Sequence, residues 1–199
     1  MQKITTVFFD CYNVLCTPPL FGWVKKYLPA DFTYTSDILE MIVKYDLGDV
    51  PEEEILRLLC VYEGKQRSLE EIKEEVREGG IVLEDALIIA KALKEKGFRV
   101  GLLSNGNREF FDRKTFAERP DFKDLFDPLI ISSDVHIVKP DAAIFTYALE
   151  TANAVAQETL FIDDSLVNIE ASIALGIHGV LYTTPEKLVE DLKQYDIYI

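Results

Sequence analysis

Residues 4–15 read Ile4-Thr5-Thr6-Val7-Phe8-Phe9-Asp10-Cys11-Tyr12-Asn13-Val14-Leu15. The run from Ile4 to Phe9 is β-branched and aromatic rather than strictly alternating, which suits a strand buried on both faces, and it ends on a carboxylate. Three more runs of this kind follow: Arg99-Val100-Gly101-Leu102-Leu103, Thr159-Leu160-Phe161-Ile162 and His178-Gly179-Val180-Leu181-Tyr182. A weaker one spans Pro128 to Ile131. Between them lie helical patterns. Leu83 to Lys96 carries apolar residues at 83, 86, 87, 90 and 93, with Gly97 placed to end the helix. Ala142 to Asn153 and Val167 to Leu175, the latter stopped by Gly176, read as two more. This alternation predicts a three-layer α/β fold around a mostly parallel sheet.

Residues 16–80 break the alternation. They are charged and helical with no convincing buried strand, and Pro51 followed by Glu52, Glu53 and Glu54 marks a helix first turn. The reading is a core of residues 1–15 and 81–199 with a small helical insertion, 16–80, after the first strand. The chain has 199 residues, 48% hydrophobic and 28% charged, so it is long enough for a packed core and a cleft. A net charge of −14 repels nucleic acid and anionic membranes, and the basic pairs Lys25-Lys26 and Arg113-Lys114 are too short to offset it. No apolar stretch approaches the ~20 residues of a membrane span. Three cysteines, Cys11, Cys16 and Cys60, argue against a disulfide scaffold and for a reducing compartment. The start, MQKITTVFFD, lacks a signal-like apolar segment, and the expected location is cytoplasmic.

In an open parallel sheet the ligand crevice lies beyond the carboxyl ends of the strands. Four strand ends deliver chemistry there: Asp10; Ser104, Asn105 and Gly106; Lys139-Pro140-Asp141; and Asp163-Asp164, with Asn168 four residues on. Their convergence fits phosphoryl transfer. An Asp carboxylate can attack phosphorus and form an acyl-phosphate. Carboxylates gathered at one point repel one another unless a cation sits among them, and Mg²⁺ is the natural cation for oxygen ligands and phosphate. Lys139, the Ser104 hydroxyl and backbone N–H groups near Asn105 and Gly106 could hold phosphate oxygens.

The same residues carry a family resemblance. The chain resembles the haloacid dehalogenase-like hydrolases over nearly its whole length: Phe8-Phe9-Asp10-Cys11-Tyr12 through Leu15 is similar to their first motif and Leu102-Leu103-Ser104-Asn105-Gly106 to the second. Lys139-Pro140-Asp141 with Ile144-Phe145 is similar to the third, and Phe161-Ile162-Asp163-Asp164 through Asn168 and Gly176 to the fourth. The resemblance implies a Rossmann-like core with a helical cap. It implies Asp10 as nucleophile, and Mg²⁺ held by Asp10, the Tyr12 backbone carbonyl and Asp164, with Asp163 as ligand or supporting partner. Ser104, Asn105, Gly106 and Lys139 would bind the transferred group, Lys139 also restraining Asp10. The expected substrate is a small phosphorylated metabolite.

One position departs from the pattern. Tyr12 stands where the family usually has a second Asp that acts as general acid and base. A phenol, with an ordinary pKa of about 10, can donate a proton but regenerates a base poorly near neutral pH. Asp-x-Tyr also resembles the first motif of the metal-free 2-haloacid dehalogenases, in which the Asp displaces halide from carbon. That branch usually has Thr where this chain has Val14 and Tyr where it has Phe145, and it places Ser, Asn and Asp around the fourth motif. The paired carboxylates Asp163 and Asp164 have no good role without a cation, so the metal-dependent phosphatase carries the greater weight. The dehalogenase and a non-enzymatic binding relative stay as alternatives. Cys11 and Cys16 read as packing residues, His136 and His178 cluster with no other candidate ligand, and Trp23, Tyr27 and Tyr34 are candidates for either the inner face or the core of the insertion.

Overall fold

The apolar runs become β1 (Thr6–Phe9), β2 (Arg99–Ser104), β3 (Leu129–Ile131), β4 (Thr159–Asp163) and β5 (His178–Leu181) in a computed structural model of the chain. They form one parallel sheet in the order β3-β2-β1-β4-β5. The structure describes residues 3–64 and 67–199. Met1 and Gln2 of the predicted core, and Lys65 and Gln66 of the predicted insertion, lie outside them.

Helices α1 (Pro19–Tyr27), α2 (Ser36–Asp46), α3 (Glu52–Glu63) and α4 (Leu69–Glu78) follow β1. α5 (Glu84–Glu95) precedes β2, and α6 (Arg108–Phe110), α7 (Phe116–Glu118) and α8 (Pro120–Leu125) follow it. α9 (Ser132–Val135) and α10 (Ala142–Thr151) lie between β3 and β4, α11 (Leu166–Ala174) between β4 and β5, and α12 (Pro185–Leu192) after β5.

Period-two side-chain alternation divides the core between the two faces of the sheet. Val7, Phe9, Leu102, Leu160 and Ile162 join one cluster, with Leu87, Ala90 and Leu93 of α5 and Leu188 and Leu192 of α12. Phe8, Leu103 and Phe161 join the other, with Ile144, Phe145 and Ala148 of α10 and Ile169 of α11. Gly101 of β2 is required beside its register partner Phe8 of β1, because a Cβ there would stand 2.5 Å from the Phe8 ring. Both faces are covered, which is why the strands read as continuous apolar runs.

β1 is central. Phe9 pairs with Leu102 of β2 on one side and with Ile162 of β4 on the other. The chain therefore leaves neighbouring strand ends toward opposite faces, and a crevice opens at that switch point. Asp10 and Asp163, each next in sequence after this paired layer, come out side by side.

The helices of residues 19–78 build their own apolar cluster around Trp23, Ile38, Ile55, Leu56, Leu59 and Ile72, joined by Phe110 from the α6 segment. α3 begins after Pro51 with three acids in its first turn and ends at Gly64, whose φ of 70° is left-handed. A reciprocal capping box between Ser68 and Glu71 starts α4. Two chain segments join these helices to the sheet, and they lie against each other. The Leu83 N–H donates to the Leu15 carbonyl at 2.8 Å and the Thr17 N–H to the Ile81 carbonyl at 2.8 Å. None of the helices, over the described residues, is long and apolar enough to cross a membrane.

Candidate active site

Lys139 is the centre of the site. Its Nζ donates to Asp10 Oδ1 at 2.6 Å and to Asp163 Oδ2 at 2.7 Å, and the three residues are 4%, 7% and 0% exposed. Asn105 fixes the lysine. Its Oδ1 accepts from the Lys139 N–H at 2.8 Å and its Nδ2 donates to the Lys139 carbonyl at 3.0 Å. Asp163 is fully engaged, since it also accepts from the Ser165 N–H at 2.8 Å and from Asn168 Nδ2 at 3.1 and 3.2 Å. Burial pushes the Asp10 carboxyl from 3.8 up to about 7; Lys139 pulls against this rise and Asp163 adds to it. Burial disfavours the charged form of Lys139, but the two carboxylates outweigh it and raise its pKa.

Asp164 lies on the exposed side of the same cluster. It accepts from Asn13 Nδ2 at 2.9 Å, and Asn13 reaches it from a left-handed conformation at φ 61°. Carboxylate oxygens of Asp10, Asp163 and Asp164 all lie within 4.8 Å of one another. Three carboxylates against one ammonium leave excess negative charge, and a hard divalent cation is the group that such an oxygen set fits.

The remaining candidates are placed more variously. Tyr12 lines the cavity, its ring 5.8 Å from that of Phe111, and burial holds its phenol well above its ordinary range. Gly106 is also on the wall, and a Cβ there would meet Phe111 at 3.1 Å and Tyr12 at 3.2 Å. Its N–H is already donated to Ser132 Oγ at 2.9 Å, so it supplies room rather than a free donor. Ser104 is wholly buried beneath the wall, its hydroxyl donated to the Asn105 carbonyl at 3.1 Å. The Asn105 amide serves the Lys139 backbone at both ends. The expected row of phosphate donors is thus partly spent on internal order. Trp23 is buried in the insertion's own core and donates to Glu75 at 3.0 Å. Neither it nor Tyr27 nor Tyr34 lines the cavity, which Pro18, Pro19, Leu20 and Phe21 line instead.

Sheet and helical insertion enclose a cavity of about 480 Å³. Ile42, Ile55, Leu56, Val76 and Phe110 make much of it apolar. Its charged groups, among the described residues, are Asp10, Asp46, Glu52, Lys139 and Asp164. Neither Asp46 nor Glu52 is a site candidate from the sequence, where Glu52 reads only as part of a helix first turn. Burial pushes Asp46 from 3.8 up to about 7, opposed by Lys139. Burial also raises Glu52, with Lys73 and Arg77 opposing. Asp46 takes up its proton more readily in the folded chain than in the unfolded one. Its stabilising contribution is therefore complete below the unfolded pKa and is lost as pH rises through about 7. Asp46→Asn should melt above the unaltered chain by a margin that widens from pH 4 to pH 7, each kcal/mol being about 2–4 °C at this size. A constant margin in thermal melts would contradict burial of the charge.

A family model described as haloacid dehalogenase-like hydrolase matches residues 4–176. The phosphorylated carbohydrates phosphatase of Thermotoga maritima is 28% identical, over 89% of this chain and 85% of that protein. Several other curated relatives are longer proteins, of which this chain spans less than a quarter. A HAD family enzyme of Bacteroides thetaiotaomicron, crystallised with magnesium and inorganic phosphate, is similar in structure with a TM-score of 0.70 at 22% identity. The match covers 90% of this chain and 94% of that one. A crystallised dehalogenase is similar at a TM-score of 0.68 and 17% identity, covering 96% and 97% of the two chains.

Proposed function

The chain belongs to the haloacid dehalogenase-like hydrolases, and on that premise we propose that it is a magnesium-dependent phosphomonoesterase that passes the phosphoryl group through Asp10 to water. The observation that carries this reading is the convergence of Asp10, Asp163 and Asp164 within 4.8 Å around a single buried lysine. Asp10, Asp164 and the Tyr12 backbone carbonyl would hold Mg²⁺, with Asp163 as a further ligand or as the anchor of Lys139. When bound, the ion neutralises the carboxylates and polarises the phosphoryl oxygens.

The chain's own residues do the rest. Lys139 opposes the burial that favours a proton on Asp10 and holds its Oδ1. The Ser104 hydroxyl, turned from the Asn105 carbonyl, would bond a phosphate oxygen. Residues 16–80 act as a cap over the core of 1–15 and 81–199, and closure excludes water from the acyl-phosphate.

The cavity also favours a class of substrate. Lys139 is its sole cation among the described residues and is committed to Asp10 and Asp163, while the insertion adds Asp46 and Glu52. A second anionic group on the substrate finds no partner there. We expect small organic phosphates with a neutral, partly apolar body. Benzyl phosphate should exceed 3-phosphoglycerate in kcat/KM by about tenfold or more, an unpaired charge facing apolar walls costing at least 1.4 kcal/mol.

Tyr12 favours a second reading, the 2-haloacid dehalogenase. The lack of a free cation for a carboxylate substrate weighs against it. Both are tested by one panel of phosphate esters and 2-chloropropionate, each with Mg²⁺ and with EDTA. Phosphate release that needs Mg²⁺ supports the phosphatase. Halide release that survives EDTA, without phosphate release, replaces it with the dehalogenase.

A further inference from the structure

Phosphate transfer from an alcohol needs a proton for the departing oxygen. Tyr12 serves poorly, because a phenol regenerates a base poorly near neutral pH and its ring is packed on Phe111 and beside Gly106. We propose that Asp46, carried by the end of α2 onto the cavity wall that includes Asp10 and Lys139, is the general acid and base of this reaction. The assignment rests on the phosphatase reading.

The first support is how Asp46 is held. The last carbonyls of a helix have no partner within it. Here three consecutive carbonyls at the end of α2 each accept from a core side chain. Asn107 Nδ2 donates to Tyr45 at 3.2 Å, Ser132 Oγ to Asp46 at 2.5 Å and His136 Nδ1 to Leu47 at 2.8 Å. Asn107 follows Gly106 of the cavity wall, and Ser132 and His136 lie between β3 and Lys139. Asp46 belongs to the insertion by sequence, but its backbone is pinned to the rim of the site.

The second support is that nothing else uses the carboxyl. Asp46 lines the cavity, and its side chain has no hydrogen bond or ion pair among the described residues. The third is its locally unfavourable position. A helix C-terminus disfavours negative charge, and apolar walls add a desolvation cost. Costly placements that local rules do not explain concentrate at functional sites.

The groups sharing the cavity are Asp10, Tyr12, Lys139 and Asp164 from the core and Tyr45 and Glu52 from the insertion. Glu52 is the competing carboxyl, but it answers to Lys73 and Arg77, whereas Asp46 answers to Lys139 beside the nucleophile. Its carboxyl near 7 is matched to giving and taking a proton at neutral pH.

The steps balance. An Asp10 oxygen bonds to phosphorus as the bond from phosphorus to the ester oxygen breaks, and the Asp46 proton goes to that oxygen, releasing the alcohol. Water oxygen then bonds to phosphorus as the bond from phosphorus to Asp10 breaks. Asp46 takes the proton from water, inorganic phosphate leaves, and both carboxyls are restored.

The test is leaving-group dependence of kcat/KM, which reports the first step, in the full chain with Mg²⁺. Benzyl phosphate needs its oxygen protonated and 4-nitrophenyl phosphate does not. Asp46→Asn and Asp46→Ala should each lower kcat/KM for benzyl phosphate by about 100-fold or more and leave that for the aryl ester nearly unchanged. Tyr12→Phe should show no such selectivity. Equal losses on both esters, no loss on either, or selective loss in Tyr12→Phe overturns the assignment while the phosphatase stands. Absence of Mg²⁺-dependent turnover of both esters by the unaltered protein overturns the phosphatase reading and this assignment with it. Thermal melts of each variant separate misfolding from chemistry.

Discussion

Asp10→Asn is expected to lower phosphate release by about 10⁴-fold or more while leaving the fold intact, since removal of a nucleophile discards the covalent route and leaves only binding and positioning. The usual objection, that a buried charge has been deleted, points the other way here. Asp10, Asp163 and Lys139 form a buried cluster with more negative than positive charge. The amide removes the excess and leaves Lys139 paired with Asp163. Melting of the metal-free variant should match or exceed that of the unaltered chain. Retained turnover would remove Asp10 as nucleophile, and a large loss of stability would contradict this account of the cluster.

Lys139→Met is expected to produce the largest loss of stability. The side chain is of similar length, so the change is mainly one of charge. It leaves the Asp10 and Asp163 carboxyls buried together with no cation between them, and breaking one partner from a buried ionic group costs about 3–5 kcal/mol. Urea unfolding at neutral pH without Mg²⁺ would measure it. The deficit should shrink as pH falls, because Asp10 then takes up a proton and no longer needs the ammonium. A variant as stable as the parent at neutral pH would mean that Lys139 does not balance the carboxylates.

Much of this was legible in the sequence, for identifiable reasons. Strands buried on both faces leave continuous apolar runs, so each was located to within a residue or two, β1 beginning at Thr6 rather than Ile4. Asp10 and Asp163 were legible because they stand at the carboxyl ends of β1 and β4, which a parallel sheet brings to one edge, and Lys139 because its motif falls between β3 and α10. The segment between β2 and β3 was not legible. Phe111 and Phe116 are five residues apart and would point about 140° apart around an α-helix. A π-helical turn at Phe111–Thr115 puts both in the core, with ring centroids 5.5 Å apart. α12 was also missed, its apolar residues being few and spaced among acids and lysines.

At the site, residue type was readable but role was less so. Asn105 follows β2 as a phosphate-binding residue would, yet its amide is spent on the Lys139 backbone 34 residues away. Asn13 and Asn168 stand in the first and fourth motifs, but their hold on Asp164 and Asp163 is a tertiary fact. Asp46 left no signal, because it reaches the cavity only after four helices fold over the sheet and α2 docks on Asn107, Ser132 and His136. Of the aromatic residues left open between the insertion's inner face and its core, Trp23 takes the core and Tyr27 and Tyr34 pack against it.

The most direct test is phosphate release from 4-nitrophenyl phosphate by the unaltered chain, in Mg²⁺ and again after EDTA. The activated ester requires the least from any proton donor, so the assay isolates the nucleophile and the cation. Turnover is expected in Mg²⁺, abolished by EDTA and restored by re-added Mg²⁺. No turnover in Mg²⁺, or turnover that EDTA leaves unchanged, would contradict the phosphatase reading.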